Sequence, residues 1–246
     1  MGDMTYRYAT ERADRSDLAT GHVLRSAPGH PGFPVRLADE LFQRAASHLG
    51  SDPLRLWDPC CGSGYLATVL GLLHRDRLAH ILATDVDPDA LGIAARNLDL
   101  LTVDGLAARE RELRAGAAEF GKPSFLERAD AARRLADGLA GLGGDLPHTV
   151  RPGDAFVPDP PEHPVDLVVT DVPYGDLTHW SGDVPAPGTD PLPALLHSLA
   201  SVLPDHAVLA VTARARKIPL PDGVRALERV RVGNRAAVVL HARQLR

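Results

Sequence analysis

Three short, mostly apolar runs in this chain each end on an aspartate. Leu54–Trp57 leads into Asp58, Ala79–Thr84 into Asp85, and Val165–Thr170 into Asp171. Near-continuous apolar strands, rather than alternating ones, belong to a parallel sheet covered on both faces. Helical spacing follows the first two runs: Leu66, Val69, Leu70 and Leu73, then Leu91, Ala94, Ala95, Leu98 and Leu101. Asp87 suits the N-cap of the second helix and Pro88 its first turn. Strand alternating with helix predicts an α/β fold around an open sheet. Ligands of such sheets bind outside the carboxyl ends of the strands, which is where these aspartates fall.

The rest of the chain adds to this core. The first 36 residues are polar and end in the Pro/Gly-rich stretch Ala27–Pro34, followed by a helix over Val35–Leu49 that Gly50 stops. Residues 1–50 therefore read as an N-terminal helical extension. The alternation breaks from about Thr102 to Leu146, where helices over Ala107–Phe120 and Ser124–Leu139 meet at Gly121-Lys122-Pro123. We read this as a helical insertion. It resumes with a short strand over Thr149–Arg151, the Val165–Thr170 strand, an irregular segment Asp176–Thr189, a helix over Leu192–Leu203 and a strand over Ala207–Thr212. Two closing strands, Arg225–Val232 and Ala236–Ala242, form a hairpin across Gly233-Asn234 and add an antiparallel strand. At 246 residues and 44% hydrophobic composition, one core with a subdomain is expected, so the chain reads as a single domain.

Composition excludes several classes. Cys60 and Cys61 are adjacent and have no other partner, which rules out a disulfide framework and suits a reducing cytoplasm. No run of 18 apolar residues occurs and the N-terminus is charged, so neither a membrane span nor a secretory signal is expected. The net charge of −5 alone argues against a nucleic-acid partner, but its distribution is uneven. Arg214–Arg246 holds nine Lys/Arg and two acids, whereas Asp145–Asp190 holds nine acids and one Arg. Lys122 and Lys217 are the only lysines; a GC-rich coding bias explains the arginine excess.

Four loops carry the chemistry. In Asp58-Pro59-Cys60-Cys61-Gly62-Ser63-Gly64-Tyr65, the glycines allow a tight turn and close approach of a ligand. The third glycine of a dinucleotide fingerprint is Ala67, and no lysine is present to cradle a phosphate. Asp58 would repel a pyrophosphate but accept hydrogen bonds from a cationic amino-acid group. That suits S-adenosylmethionine (SAM) better than NAD or ATP. Asp85 is placed to accept both ribose hydroxyls. In Gly153-Asp154-Ala155-Phe156, Asp154 can take an adenine amino group and Phe156 can flank the ring. In Asp171-Val172-Pro173-Tyr174-Gly175, Asp171 can hydrogen-bond a planar nitrogen group, Tyr174 can stack on the same base, and Pro173 stiffens the turn. Such a nitrogen must be held in line with the methyl sulfonium.

These loops resemble, in order and spacing, the motifs of class I SAM-dependent methyltransferases. Asp171-Val172-Pro173-Tyr174 is similar to the D-P-P-Y motif of amino-group methyltransferases acting on nucleic-acid bases, with Val172 in place of the first proline. The chain as a whole resembles the avilamycin-resistance rRNA methyltransferases. That resemblance implies a Rossmann-like, seven-stranded, mostly parallel sheet closed by an antiparallel hairpin. It implies SAM bound by Asp58, Pro59, Cys60, Gly62, Gly64, Tyr65, Asp85, Asp154 and Ala155. It implies a guanine of large-subunit rRNA positioned by Asp171, Pro173 and Tyr174, methylation at N1, and resistance to an orthosomycin antibiotic. The D-x-P-Y motif alone points instead to the exocyclic amino group, so the atom stays open. If N1 is the target, Asp171 is the candidate proton acceptor. A cytoplasmic monomer without DNA or membrane partners is expected. RNA contacts are expected from the insertion (Arg109, Arg111, Arg114, Lys122, Arg128, Arg133, Arg134), from Arg214-Ala215-Arg216-Lys217 and from the N-terminal segment, with Tyr6, Tyr8 and Trp180 able to stack bases. The bland reading of the insertion is a solvated helical face. Other readings are a methyltransferase for tRNA, DNA, a protein amide or a small molecule, a catalytically dead SAM-fold module, and a nicotinamide dehydrogenase.

Overall fold

Each apolar run becomes a strand. In the computed structural model, which describes residues 6–11, 13–26, 29, 32–50, 52–173, 180–186 and 190–246, five strands lie parallel: β1 (Leu54–Asp58), β2 (Leu78–Asp85), β3 (His148–Pro152), β4 (Leu167–Asp171) and β5 (Val208–Ala213). Then β6 (Glu228–Val232) turns into β7 (Arg235–His241), which inserts antiparallel between β5 and β6. The order β3-β2-β1-β4-β5-β7-β6 is the seven-stranded sheet expected. The chain reverses direction across the sheet between β1 and β4, so a crevice opens at their carboxyl ends.

Helices α1 (Val35–Ala46), α2 (Tyr65–Leu73), α3 (Pro88–Leu98), α4 (Val103–Phe120) and α5 (Pro123–Gly141) feed one core through Leu41, Phe42, Leu70, Leu98, Leu106 and Ala132. The opposite face is covered by α6 (Pro191–Val202), through Leu195, Leu196 and Leu199, and by connecting segments carrying Val172, Ile218 and Leu245. Both faces are covered, as a parallel sheet requires, but unequally. Each fully buried leucine contributes about 1.5–3 kcal/mol.

The boundaries differ where side chains rewrite them. The insertion begins at Val103 rather than Ala107, because the Thr102 hydroxyl accepts the Gly105 N–H at 3.0 Å and Asp145 Oδ1 accepts the Val103 N–H at 2.7 Å. A side chain at Gly105 would meet the Asp99 carbonyl oxygen at 1.9 Å, so glycine is required at this helical position. α1 ends at Ala46, three residues short of Leu49, where the Ser47 hydroxyl donates back to the Arg44 carbonyl. β6 begins at Glu228, three residues after Arg225.

The N-terminal segment is tied down. The buried carboxylate of Glu40 accepts the N–H groups of Arg7, Tyr8 and Ala9 at 2.7, 2.8 and 2.8 Å, and Arg44 Nε at 2.6 Å. Further on, the Tyr65 hydroxyl donates to the Leu18 carbonyl at 2.7 Å. Asn97, buried in α3, accepts the Arg25 N–H at 2.7 Å and donates to the carbonyls of Arg25 and Ser63 at 3.0 and 2.9 Å. The segment before α1 thus lies against the glycine-rich loop. Among the described residues, no helix is long and apolar enough to cross a membrane.

Candidate active site

The first loop is wired by backbone groups. The Cys61 N–H donates to the Thr84 carbonyl at 3.0 Å and the Gly62 N–H to Asp85 Oδ2 at 2.7 Å. Gly64 is left-handed (φ 71°) at the N-terminus of α2, and a Cβ there would sit 2.7 Å from Leu98 Cδ1 and 3.0 Å from Ala94 of α3. Glycine is therefore required twice over, by conformation and by the close packing of α2 on α3. Pro59 and Tyr65 are buried beside the loop, and the Tyr65 hydroxyl is engaged with Leu18. Burial pushes the Cys60 and Cys61 thiols well above their usual range, with Asp58 and Asp85 adding to it, so neither is a reactive thiolate.

Asp58, at the tip of β1, is 1% exposed. Burial raises its carboxyl to about 7, opposed by the Thr170 hydroxyl and the Cys60 N–H, while the charges of Asp85 and Asp171 raise it further. Three carboxylates from β1, β2 and β4 thus share one edge of the sheet. Asp85 also accepts the Asp87 N–H through Oδ1 at 3.1 Å, and the Gly153 N–H donates to its backbone carbonyl at 3.0 Å. Asp154 Oδ1 accepts the Phe156 N–H at 2.9 Å, and Oδ2 accepts the Asp183 N–H at 2.6 Å. Phe156 meets Trp180 at 5.5 Å between ring centres, so residues 180–186 fold back over the third loop beside buried Ala155. Trp180 therefore packs on Phe156 rather than standing free as a stacking platform.

Asp171 ends β4, where the Val172 N–H continues the pairing to the Thr212 carbonyl at 2.9 Å. Pro173 follows, partly buried; Tyr174, with Gly175, lies outside the described residues. A residue that sequence reasoning missed sits behind the carboxylate. Arg235 Nη1 donates to Asp171 Oδ1 at 2.5 Å, and its guanidinium lies 4.6 Å from the centre of the Phe33 ring. Burial lifts Asp171 to about 6, held down by Arg235 and, more weakly, Arg214. The signal in the sequence was an arginine opening an otherwise apolar strand, Arg235-Ala236-Ala237-Val238-Val239-Leu240. Asn97, a polar residue on the buried face of α3, was missed likewise.

A cationic ligand suits this edge: the charges of Asp85 and Asp171 oppose the ionisation of Asp58, and Gly62 and Gly64, both at positive φ, leave backbone room beside them. The sequence comparison decides the family: the description rRNA methyltransferase AviRa matches residues 4–235. The chain belongs to the AviRa rRNA methyltransferase family. A 23S rRNA (guanine(2535)-N(1))-methyltransferase from Streptomyces viridochromogenes is 56% identical over 243 residues, 96% of either chain. The solved structure of rRNA methyltransferase aviRa from that organism matches at a TM-score of 0.90, with 54% identity over 98% of both chains. A second structure of the same name matches at 0.89, with 55% identity over 98% of both. The AviRa-family chain is a methyltransferase by its family, and its sheet order gives it the Rossmann-like α/β fold.

Within this AviRa-family fold the arginines of the insertion are mostly paired. Arg114 binds Glu110 and Asp130, Arg133 binds Asp130, Arg134 binds Asp17, and Arg109 binds Glu112 and the Val23 carbonyl. Arg114 and Arg133 belong to a solvated, internally neutralised face, whereas Arg109 and Arg134 tie the insertion to the N-terminal segment. Tyr6 lies under Arg36 at 3.9 Å. Arg214, Arg216 and Lys217 are exposed just past β5, on the same edge as Asp171.

Proposed function

We propose that this chain transfers the methyl group of SAM to N1 of one guanine in 23S rRNA, acting as a single-domain cytoplasmic monomer, and thereby confers resistance to an orthosomycin such as avilamycin. The observation that carries the reading is the meeting of Asp58, Asp85 and Asp171 on one sheet edge in a chain 56% identical to a guanine-N1 methyltransferase. Asp58 faces the cationic amino-acid end of the donor and Asp85 the ribose hydroxyls, with Asp154 and Ala155 at the adenine. Pro59, Cys60, Gly62, Gly64 and Tyr65 shape the wall between them. SAM, when bound, supplies an electrophilic methyl on a positively charged sulfur.

The acceptor side needs a base. Guanine N1 carries a proton and its lone pair is delocalised into the ring. As the N1–methyl bond forms and the sulfur–methyl bond breaks, the N1–H bond must also break, and Asp171 takes that proton. With its carboxyl near 6, Asp171 is ionised at neutral pH yet basic enough to accept. Pro173 and Tyr174 hold the base, which must leave its stack to reach the crevice. Arg214, Arg216 and Lys217 meet the RNA backbone beside it.

Transfer of labelled methyl from SAM to separate pools of 23S rRNA, 16S rRNA, tRNA and DNA, followed by digestion to nucleosides, tests this. Label in N1-methylguanosine from 23S rRNA alone is the expected result. Label in the N2-methyl nucleoside would move the acceptor to the amino group, as the D-x-P-Y motif suggests. No label in any nucleic acid, with SAM still bound, would overturn the assignment.

A further inference from the structure

The pair formed by Asp171 and Arg235 is lopsided. The arginine side chain is 4% exposed and the carboxylate 18%, so the carboxylate faces the crevice and the guanidinium stands behind it. Phe33, from the segment before α1, covers the guanidinium at 4.6 Å. β7 would bury an apolar residue at this position more cheaply, since its neighbours Ala236, Ala237 and Val238 are all core residues. A buried ion pair is poor value for stability against an apolar replacement. Its use here must be sought in what the arginine does to Asp171.

We infer that Arg235 is a positioning residue for methyl transfer: stacked on Phe33, it fixes one oxygen of Asp171 and keeps the carboxylate ionised and turned to the substrate. The inference rests on the proposed role of Asp171 as proton acceptor. The charged groups around Asp171 among the described residues are Arg235 from β7, Arg214 beyond β5 and Asp58 at the end of β1. Burial favours the protonated acid, and the two arginines favour the carboxylate. Arg214 is exposed and solvent screens it, so Arg235 is the main counterweight. Without it, more of Asp171 holds its proton at neutral pH, and that share can accept no other.

Arg235→Met removes the charge and keeps the volume; Arg235→Lys keeps the charge without the fork. The ¹³C carboxyl titration of Asp171 in the free protein and the pH profile of kcat/KM for methylation of 23S rRNA are measured together. The expected result for Arg235→Met is a carboxyl midpoint raised by at least one pH unit, a matching shift of the acid limb, and a loss of about twofold or more at pH 7 that shrinks at higher pH. Arg235→Lys restores much of both. An unmoved midpoint and acid limb, whether or not the rate falls, overturns the inference, because a merely structural arginine lowers activity equally at all pH. Should Arg235→Met fail to fold, by near-ultraviolet circular dichroism, Arg235→Gln takes its place on the same criteria. Failure of the underlying reading looks different: the wild type then transfers no methyl to 23S rRNA, or Asp171→Ala is fully active.

Discussion

The two sides of the sheet's carboxyl edge hold their acids by different means. On the β1–β2–β3 side, Asp85 and Asp154 are gripped by main-chain N–H groups of Gly62, Asp87, Phe156 and Asp183. On the β4 side, Asp171 is held by a side chain 64 residues away, Arg235. Backbone donors carry no net charge, so they orient an acid and leave a cationic ligand to neutralise it. A guanidinium orients the acid and also sets its ionisation. On the proposed roles, the donor side would bind a charge and the acceptor side would move a proton.

Breaking the acceptor side should cost most. Asp171→Ala is expected to lower methyl transfer to 23S rRNA by about 10²–10⁴-fold, while SAM affinity by calorimetry stays within twofold. Full activity in this variant would erase the division between the two sides. Asp58→Asn should act on the donor side in two opposite directions. Asp58 titrates near 7 when folded against 3.8 ordinarily, so the folded chain binds the extra proton between about pH 4 and 7. Folding stability therefore falls as pH rises through that window. The substitution removes this penalty, about 2–4 kcal/mol at pH 8, and should raise the melting temperature there while weakening SAM binding. A melting temperature that falls at pH 8 would mean that Asp58 gains more from its partners than burial takes away. The smallest effect is expected from Asn97→Ala, which frees the Ser63 carbonyl and the Arg25 backbone. Thermal unfolding should register a loss of about 1–3 kcal/mol, and no change would show that the N-terminal segment is held by other contacts.

The donor side was legible in the sequence because its geometry is local. A strand, an aspartate and two glycines within seven residues define where Asp58, Gly62 and Gly64 must lie, and the apolar run before Asp85 does the same for its carboxylate. The mostly parallel sheet followed from the alternation, and its antiparallel close from the hairpin; the strand order itself did not. The acceptor side was half legible. Asp171 announced itself at the end of a buried strand, but Arg235 did not, since only the insertion of β7 between β5 and β6 brings the two together. Asn97 and Glu40 were invisible for the same reason: each binds main-chain groups of a segment whose path no periodicity reveals. Helix ends such as Val103 and Ala46 were misjudged because single capping side chains, Thr102 and Ser47, overrule the apolar spacing.

The insertion of β7 also divides the site between the two ends of the chain. Asp58 and Asp85 stand on strands from the first 85 residues, and the backbone grip on Asp154 closes with Asp183. The arginine that holds Asp171 comes only at residue 235, on the strand that returns from the edge of the sheet. On the proposed roles, loosening the hairpin would strip Asp171 of its arginine while the backbone grip on Asp85 and Asp154 stays in place.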